Sequence, residues 1–171
     1  MSLNALTADT RAALDLLDKY SRKTLGKQIR VRSTIRTCEQ QNALYAQGRT
    51  APGQIVTGAR GCLSWHVLGR AVDIDLERGT GAEYQTLGTY WEKLGGHWGG
   101  RFSNLDDPGH FEWHPGIKIE SVCPNPDNCR DGQHRSQTIA LTYPNEGSSK
   151  WLQAFAVAGA MFGGFLYLKR K

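Results

Sequence analysis

The chain has 171 residues, 39% of them hydrophobic, which is enough for one ordinary domain with its own core and too few for two. Its formal net charge is +5, but Lys169, Arg170 and Lys171 crowd three positive charges at one end, and residues 151–171 contain no acid. The body is therefore close to neutral and lacks the basic face, or the interleaving of aromatic and basic residues, that a nucleic-acid binder of this size would carry.

The amino-terminal stretch MSLNALTADTRAALDLLDKY has no apolar core behind early basic residues, and Asp9 and Asp15 interrupt it, so it does not read as a secretory signal peptide. From Ala8 to about Leu25 the residues Ala12, Ala13, Leu16, Leu17 and Tyr20 recur at helical spacing behind the capping candidates Asp9 and Thr10, which predicts an amphipathic helix. QIRVRSTIR alternates Ile29 and Val31 with basic neighbours as a short strand does, and CEQQNALYAQGR then offers helix formers up to Gly48. Residues 49–63 are rich in Gly and Pro and read as a surface loop. RAVDIDL alternates apolar residues with Asp73 and Asp75, a strand with one apolar face. A helix is expected over residues 83–94, between Gly81 and the Gly95–Gly96 pair, and HFEW is a further short strand.

Beyond Pro115 the pattern weakens into polar, turn-rich sequence. The main domain is expected to span 1–122, followed by a polar linker over 123–150. Four cysteines, Cys38, Cys62, Cys123 and Cys129, are compatible with free thiols or with disulfides. Only Cys123 and Cys129 are close in sequence, in CPNPDNC, whose turn residues favour a bridge between them; free thiols and a metal knuckle are the other readings. Residues 151–168, WLQAFAVAGAMFGGFLYL, contain no charge and run into the basic end 169–171. At about 1.5 Å per residue such a helix approaches the roughly 30 Å hydrocarbon thickness, so a C-terminal transmembrane helix is expected, with a buried core helix as the alternative. Trp151 and Tyr167 suit the membrane interfaces, and the basic end would lie in the cytoplasm. The main domain would then lie outside, or inside if the segment is a tail anchor.

The residues suited to chemistry fall in two clusters. SWHVLGRAVDIDL holds Ser64, His66 and Asp73, and zinc accepts imidazole nitrogen and carboxylate oxygen in one tetrahedral site. Two ligands do not hold a catalytic zinc ion, and DDPGHFEWH supplies His110 and His114 as candidates for a third, with Asp106, Asp107 and Glu112 as acids. A hydrolytic site needs three protein ligands, an open position and a carboxylate that shuttles a proton. Spacing alone leaves a structural His and Asp pair as the competing reading. On strand alternation His110, Glu112 and His114 share a face, so His114 is either a rival ligand or a group lining the cleft. His97 and His134 read as bystanders.

TIRTCEQQNALYAQGRTAPGQIVTGARGCLSWHVLGRAVDIDL followed by HWGGRFSNLDDPGHFEW resembles the zinc D-alanyl-D-alanine carboxypeptidase and L-alanyl-D-glutamate peptidase family, over about residues 30–114. The resemblance implies a small α+β fold, with a short antiparallel sheet carrying the metal cleft and helices packed on it. It implies Zn2+ held by His66, Asp73 and His110, with Asp107 as general base and acid. Arg36 falls on the family's carbonyl-polarising or carboxylate-holding arginine, and Gln41, with Tyr45 and Arg49 nearby, on its glutamine-bearing helix. Ser64, Gln41 and His114 are expected to bind the substrate, with Ser64 alternatively bonded to a metal ligand. The chain departs from the family's usual residues at Thr34, Ile35 and Cys38. The implied activity is hydrolysis of D-amino-acid-containing stem peptides in bacterial peptidoglycan, as carboxypeptidase or endopeptidase, by a lytic or wall-remodelling enzyme. The alternative is an inactive wall-binding or virion structural module with the same fold.

Overall fold

The computed structural model describes residues 3–129. Helix α1 (Ala8–Leu25) follows the predicted span and turns Ala13, Leu14 and Leu17 inward. Strand β1 (Ile29–Ser33) leads to helix α2 (Cys38–Ala46). There a capping box stops the chain from fraying: the Thr37 hydroxyl accepts from the Gln40 amide, and the Gln40 side chain accepts from the Thr37 amide. After the long loop come β2 (Ala71–Leu76) and helix α3 (Gly81–Leu94), started by the same device in Thr80 and Glu83. The two-residue β3 (His97–Trp98), β4 (His110–Glu112) and the single turn α4 (Ile119–Val122) complete the order.

The four strands form one antiparallel sheet in the order β1-β2-β4-β3. Its register places the strand residues of the site. Val72 pairs with Phe111, which also pairs with Trp98, and Ile74 pairs with Val31. Because directly paired residues share a face, these side chains lie together on one side, where α1 and α3 cover them and form the core with Leu17, Leu87 and Trp91. The alternate residues Ser33, Asp73, His110, Glu112, Ala71 and His97 pair on the opposite side.

Two disulfides, Cys38–Cys129 and Cys62–Cys123, build a second small cluster with Val67 on α2 and the loop before β2. The expected Cys123–Cys129 bridge is thereby corrected: each of these cysteines pairs with one that is distant in sequence, and the turn between them presents both sulfurs to the body instead of to each other.

The expected transmembrane helix is also corrected. No helix among the described residues is long and apolar enough to cross a membrane. The longest, α1, has 18 residues and carries Asp9, Arg11, Asp15, Asp18, Lys19, Arg22 and Lys23, charges that a hydrocarbon interior cannot solvate. Residues 151–168, on which that expectation rested, lie outside the described residues, as does His134. Nothing among the described residues supports membrane anchoring or the membrane localisation drawn from it.

Candidate metal centre

His66 reaches the site from the loop before β2, and that loop is held tightly by its own backbone. The Gly69 amide donates to the His66 carbonyl at 3.2 Å and the Arg70 amide to the Trp65 carbonyl at 2.8 Å. Gly69 adopts φ +69°, and a β-carbon there would lie 2.8 Å from the Ala5 carbonyl oxygen, so the conformation and the close approach both require glycine. Asp73 and His110 are cross-strand partners in the β2–β4 pair. The carboxylate and the second imidazole therefore meet because the sheet register brings them side by side.

Three donor atoms converge. His66 Nε2 lies 3.2 Å from Asp73 Oδ1 and 3.3 Å from His110 Nδ1, and His110 Nδ1 lies 2.8 Å from Asp73 Oδ1. All three residues are buried, and these are the only three among the described residues grouped closely enough to share one ion. Two imidazole nitrogens and one carboxylate oxygen are a donor set that zinc accepts while keeping a fourth position open, so the residues present fit that metal.

Each ligand is held from behind. His66 Nδ1 is bonded to the Thr34 carbonyl. Asp73 spends its second oxygen, Oδ2, on the Arg36 guanidinium at 2.7 Å. His110 Nε2 lies 3.0 Å from Glu112 Oε1. Arg36 is in turn fixed by the wholly buried Gln41, whose Oε1 accepts from it at 3.1 Å while its amide donates to the Ala59 carbonyl at 2.7 Å and to Thr57 at 3.2 Å. In this arrangement a buried polar residue satisfies its own hydrogen-bonding needs while fixing a charge.

The electrostatics follow from the crowding. Burial alone would raise the Asp73 pKa, but hydrogen bonds and positive charge from His110 and His66 hold it far below the usual carboxylate range. Burial would likewise lower His110, and the carboxylates of Asp73 and Glu112 outweigh it, raising the imidazole to about 9. Glu112, against the same burial penalty, is held down to about 2 by His110 and His114. In the metal-free protein this is a cationic imidazole clamped between two anions.

Asp107 sits on the turn that enters β4. Its carbonyl accepts from the His110 amide at 3.0 Å and its own amide donates to Gly99 O at 3.2 Å. The carboxylate is half-buried, and among the described residues it has no hydrogen-bond or ion-pair partner. Asp106 is exposed. The Ser64 side chain is buried, also with no partner among the described residues. His114 is not among the three grouped donors: its Nε2 lies 3.2 Å from Glu112 Oε2, and its ring stacks on Trp65 and on His97. Arg49, beyond the end of α2, lays its guanidinium over the Tyr45 ring at 4.0 Å, in a separate groove. Sequence reasoning missed three contributors. The Thr34 carbonyl is main chain and leaves no side-chain signal, His97 was set aside although it is the register partner of Glu112, and Phe102, 40% exposed, packs beside the His110 ring at 5.8 Å.

Residues 57–113 match a family described as D-alanyl-D-alanine carboxypeptidase. A curated relative, the peptidoglycan L-alanyl-D-glutamate endopeptidase CwlK of Bacillus subtilis (strain 168), is 34% identical over 105 residues. That alignment covers 53% of this chain and 63% of the relative, so the chain spans less than two thirds of the relative's length. Among solved structures, the Serratia marcescens L-Ala D-Glu endopeptidase ChiX superposes with a TM-score of 0.51 at 20% identity, covering 66% of this chain and 83% of that one. A variant of the vancomycin-resistance D,D-pentapeptidase VanY from a VanB-type cassette, in complex with Zn(II), gives 0.47 at 18% identity, covering 67% and 74%.

Proposed function

We propose that the chain is a peptidase of the zinc D-alanyl-D-alanine carboxypeptidase and L-alanyl-D-glutamate peptidase family, to which it is similar over residues 57–113, and that it hydrolyses peptide bonds in peptidoglycan stem peptides. The bond proposed is the one between L-alanine and D-glutamate, the bond named for both CwlK and ChiX. The observation that carries the reading is the convergence of His66 Nε2, Asp73 Oδ1 and His110 Nδ1 within 4.8 Å of one another.

Zinc is the family's cofactor, and held by these three residues it supplies Lewis acidity toward the hydrolytic water and the scissile carbonyl. Asp107 takes the proton of that water and returns it to the leaving amine. Its carboxylate is the available one, because both oxygens of Glu112 face imidazoles. Arg36 keeps Asp73 from rotating and has further N–H groups with which to hold negative charge developing on the substrate oxygen. Gln41 acts through Arg36. Ser64 offers its hydroxyl to the substrate backbone.

The test is digestion of purified peptidoglycan with the full chain, with and without chelator, read by release of amino groups and by mass spectrometry of the muropeptides. Zinc-dependent appearance of amino-terminal D-glutamate is expected. Release of D-alanine alone would shift the assignment to a carboxypeptidase. Bound zinc with no new amino groups would overturn the enzymatic reading in favour of a wall-binding module.

A further inference from the structure

We propose that Glu112 is the positioning residue that fixes the His110 ring with Nδ1 toward the metal, and that His114, clamped between Trp65 and His97, holds Glu112 in place. The inference rests on the reading of His110 as a ligand and goes beyond it. An imidazole on a flexible χ2 can present either nitrogen, and each of the three ligands faces that problem in some form. For His66 the answer is the Thr34 carbonyl, and for Asp73 it is Arg36. For His110 it is a side-chain carboxylate, which orients the ring and also raises its basicity as a donor.

The carboxylate is itself immobilised. Glu112 extends from β4 opposite Ala71 on one side and His97 on the other, and the small Ala71 leaves room for it to lie along the sheet toward His110. Its Oε1 faces His110 Nε2 at 3.0 Å and its Oε2 faces His114 Nε2 at 3.2 Å. The His114 ring is parallel to Trp65 at 3.9 Å between centroids and to His97 at 4.3 Å, each within 7°. Two rings at such distances cannot share one face of a third, so His114 is the middle layer of a stack and cannot swing away. Trp65 directly precedes the ligand His66, which ties the stack back to the first metal residue. Glu112 thus receives two N–H groups, one on each oxygen, and no proton-shuttling role is left to it.

That demand for two acceptors makes a sharp test. Glutamine at this position offers one acceptor and one donor, so Glu112→Gln must set an N–H against an N–H at one of its two partners. Zinc affinity of the full chain is measured by competition with a chromophoric chelator, and the His110 tautomer by nitrogen-15 NMR of the zinc-loaded protein. Glu112→Gln is expected to weaken zinc binding by roughly 10- to 100-fold and to blur the Nε2–H signal of His110. His114→Phe keeps the stack and removes the competing N–H, so adding it to Glu112→Gln frees the amide oxygen to face His110 and is expected to recover part of the affinity. If Glu112→Gln fails to fold, His114→Phe alone decides by its own loss of affinity, expected to be several-fold. Zinc affinity unchanged in Glu112→Gln, or in His114→Phe where that is the variant that decides, while His110→Ala abolishes binding, would overturn this proposal and leave the site intact. Full affinity in His110→Ala would instead remove the ligand reading beneath it.

Discussion

Asp107 and Asp73 are both aspartates near one metal site, and their surroundings separate their roles. Asp73 has Arg36 on one oxygen and two imidazoles on the other, whereas the Asp107 carboxylate is bare among the described residues. Asp107→Asn is therefore expected to keep zinc while lowering kcat by about 10²- to 10⁴-fold, and His66→Ala to lose both metal and turnover. Metal analysis beside an amino-group release assay checks this, and a fully active Asp107→Asn would transfer the base to another carboxylate. The same cluster predicts a pH window for the metal-free protein. Glu112 is lowered from 4.5 to about 2, so its stabilisation is present above pH 4.5 and is lost as pH falls through about 2. His110 is raised from 6.5 to about 9, so its share is complete below pH 6.5 and is lost as pH rises through about 9. Melting temperature without metal should peak between these limits, while zinc affinity should climb toward pH 9 because the metal must displace the His110 proton. A metal-free melting temperature that is flat from pH 3 to pH 9 would contradict the clamped-cation picture.

At the scale of elements, two core indoles connect the hidden face of the sheet to the working one. Trp91 of α3 donates to the Glu112 carbonyl at 2.8 Å, and Trp98 of β3 donates to the Pro108 carbonyl at 2.9 Å. Both ends of the segment carrying Asp107, His110 and Glu112 are thus held from the core. Gly88 of α3 makes this possible: a β-carbon there would fall 2.0 Å from the Trp98 ring. Gly88→Ala gains about 1 kcal/mol of helix propensity but must displace the indole, at a cost of roughly 1–3 kcal/mol. We expect a net loss of stability in chemical denaturation together with a fall in kcat, because Trp98 carries Pro108 with it; a stabilised and fully active variant would refute this coupling. These links also mark the limit of what a sequence displays. The spans of α1, α2 and α3 were legible from apolar period, helix formers and bounding glycines, and β2 and β4 from their alternation; the caps were not, since α1 is capped at Thr7 and not at Asp9 or Thr10, and Thr37 and Thr80 went unnoticed. The two-residue β3 is too short for any period to register. Its role, and that of His97, depends on a pairing set by the whole sheet. The triad was legible through its motif, whereas the Thr34 carbonyl and the Trp65, His114 and His97 stack arise only when distant segments meet.

For the molecule as a whole, the same non-local logic governs the cysteines. The closest pair in sequence is not bonded; the bridges instead join residues separated by 91 and 61 positions, Cys38–Cys129 and Cys62–Cys123. Closing loops of this length restricts the unfolded chain by about 4 kcal/mol each in the loop-entropy account, and less than twice that together, since one loop lies within the other. The ion pair that accompanies them, Arg60 with Asp127, is largely exposed and adds little. The bridges and the buried side chain of Val122 therefore keep residues 119–129 against the body. The two bridges are not equivalent for function. Cys38 is the first residue of α2, the helix that carries Gln41, and Gln41 sets Arg36, which sets Asp73. Replacing Cys38 and Cys129 by serine should lower the melting temperature by roughly 10–20 °C and also weaken zinc binding, since the start of α2 is released. Replacing Cys62 and Cys123 should cost similar stability with a smaller effect on the metal. Calorimetry with zinc titration on both double variants, beside the dithiothreitol-reduced protein, separates the two effects. Equal zinc affinity in both variants would mean that the capping box at Thr37 and Gln40 suffices to hold α2, and that the bridge serves stability alone.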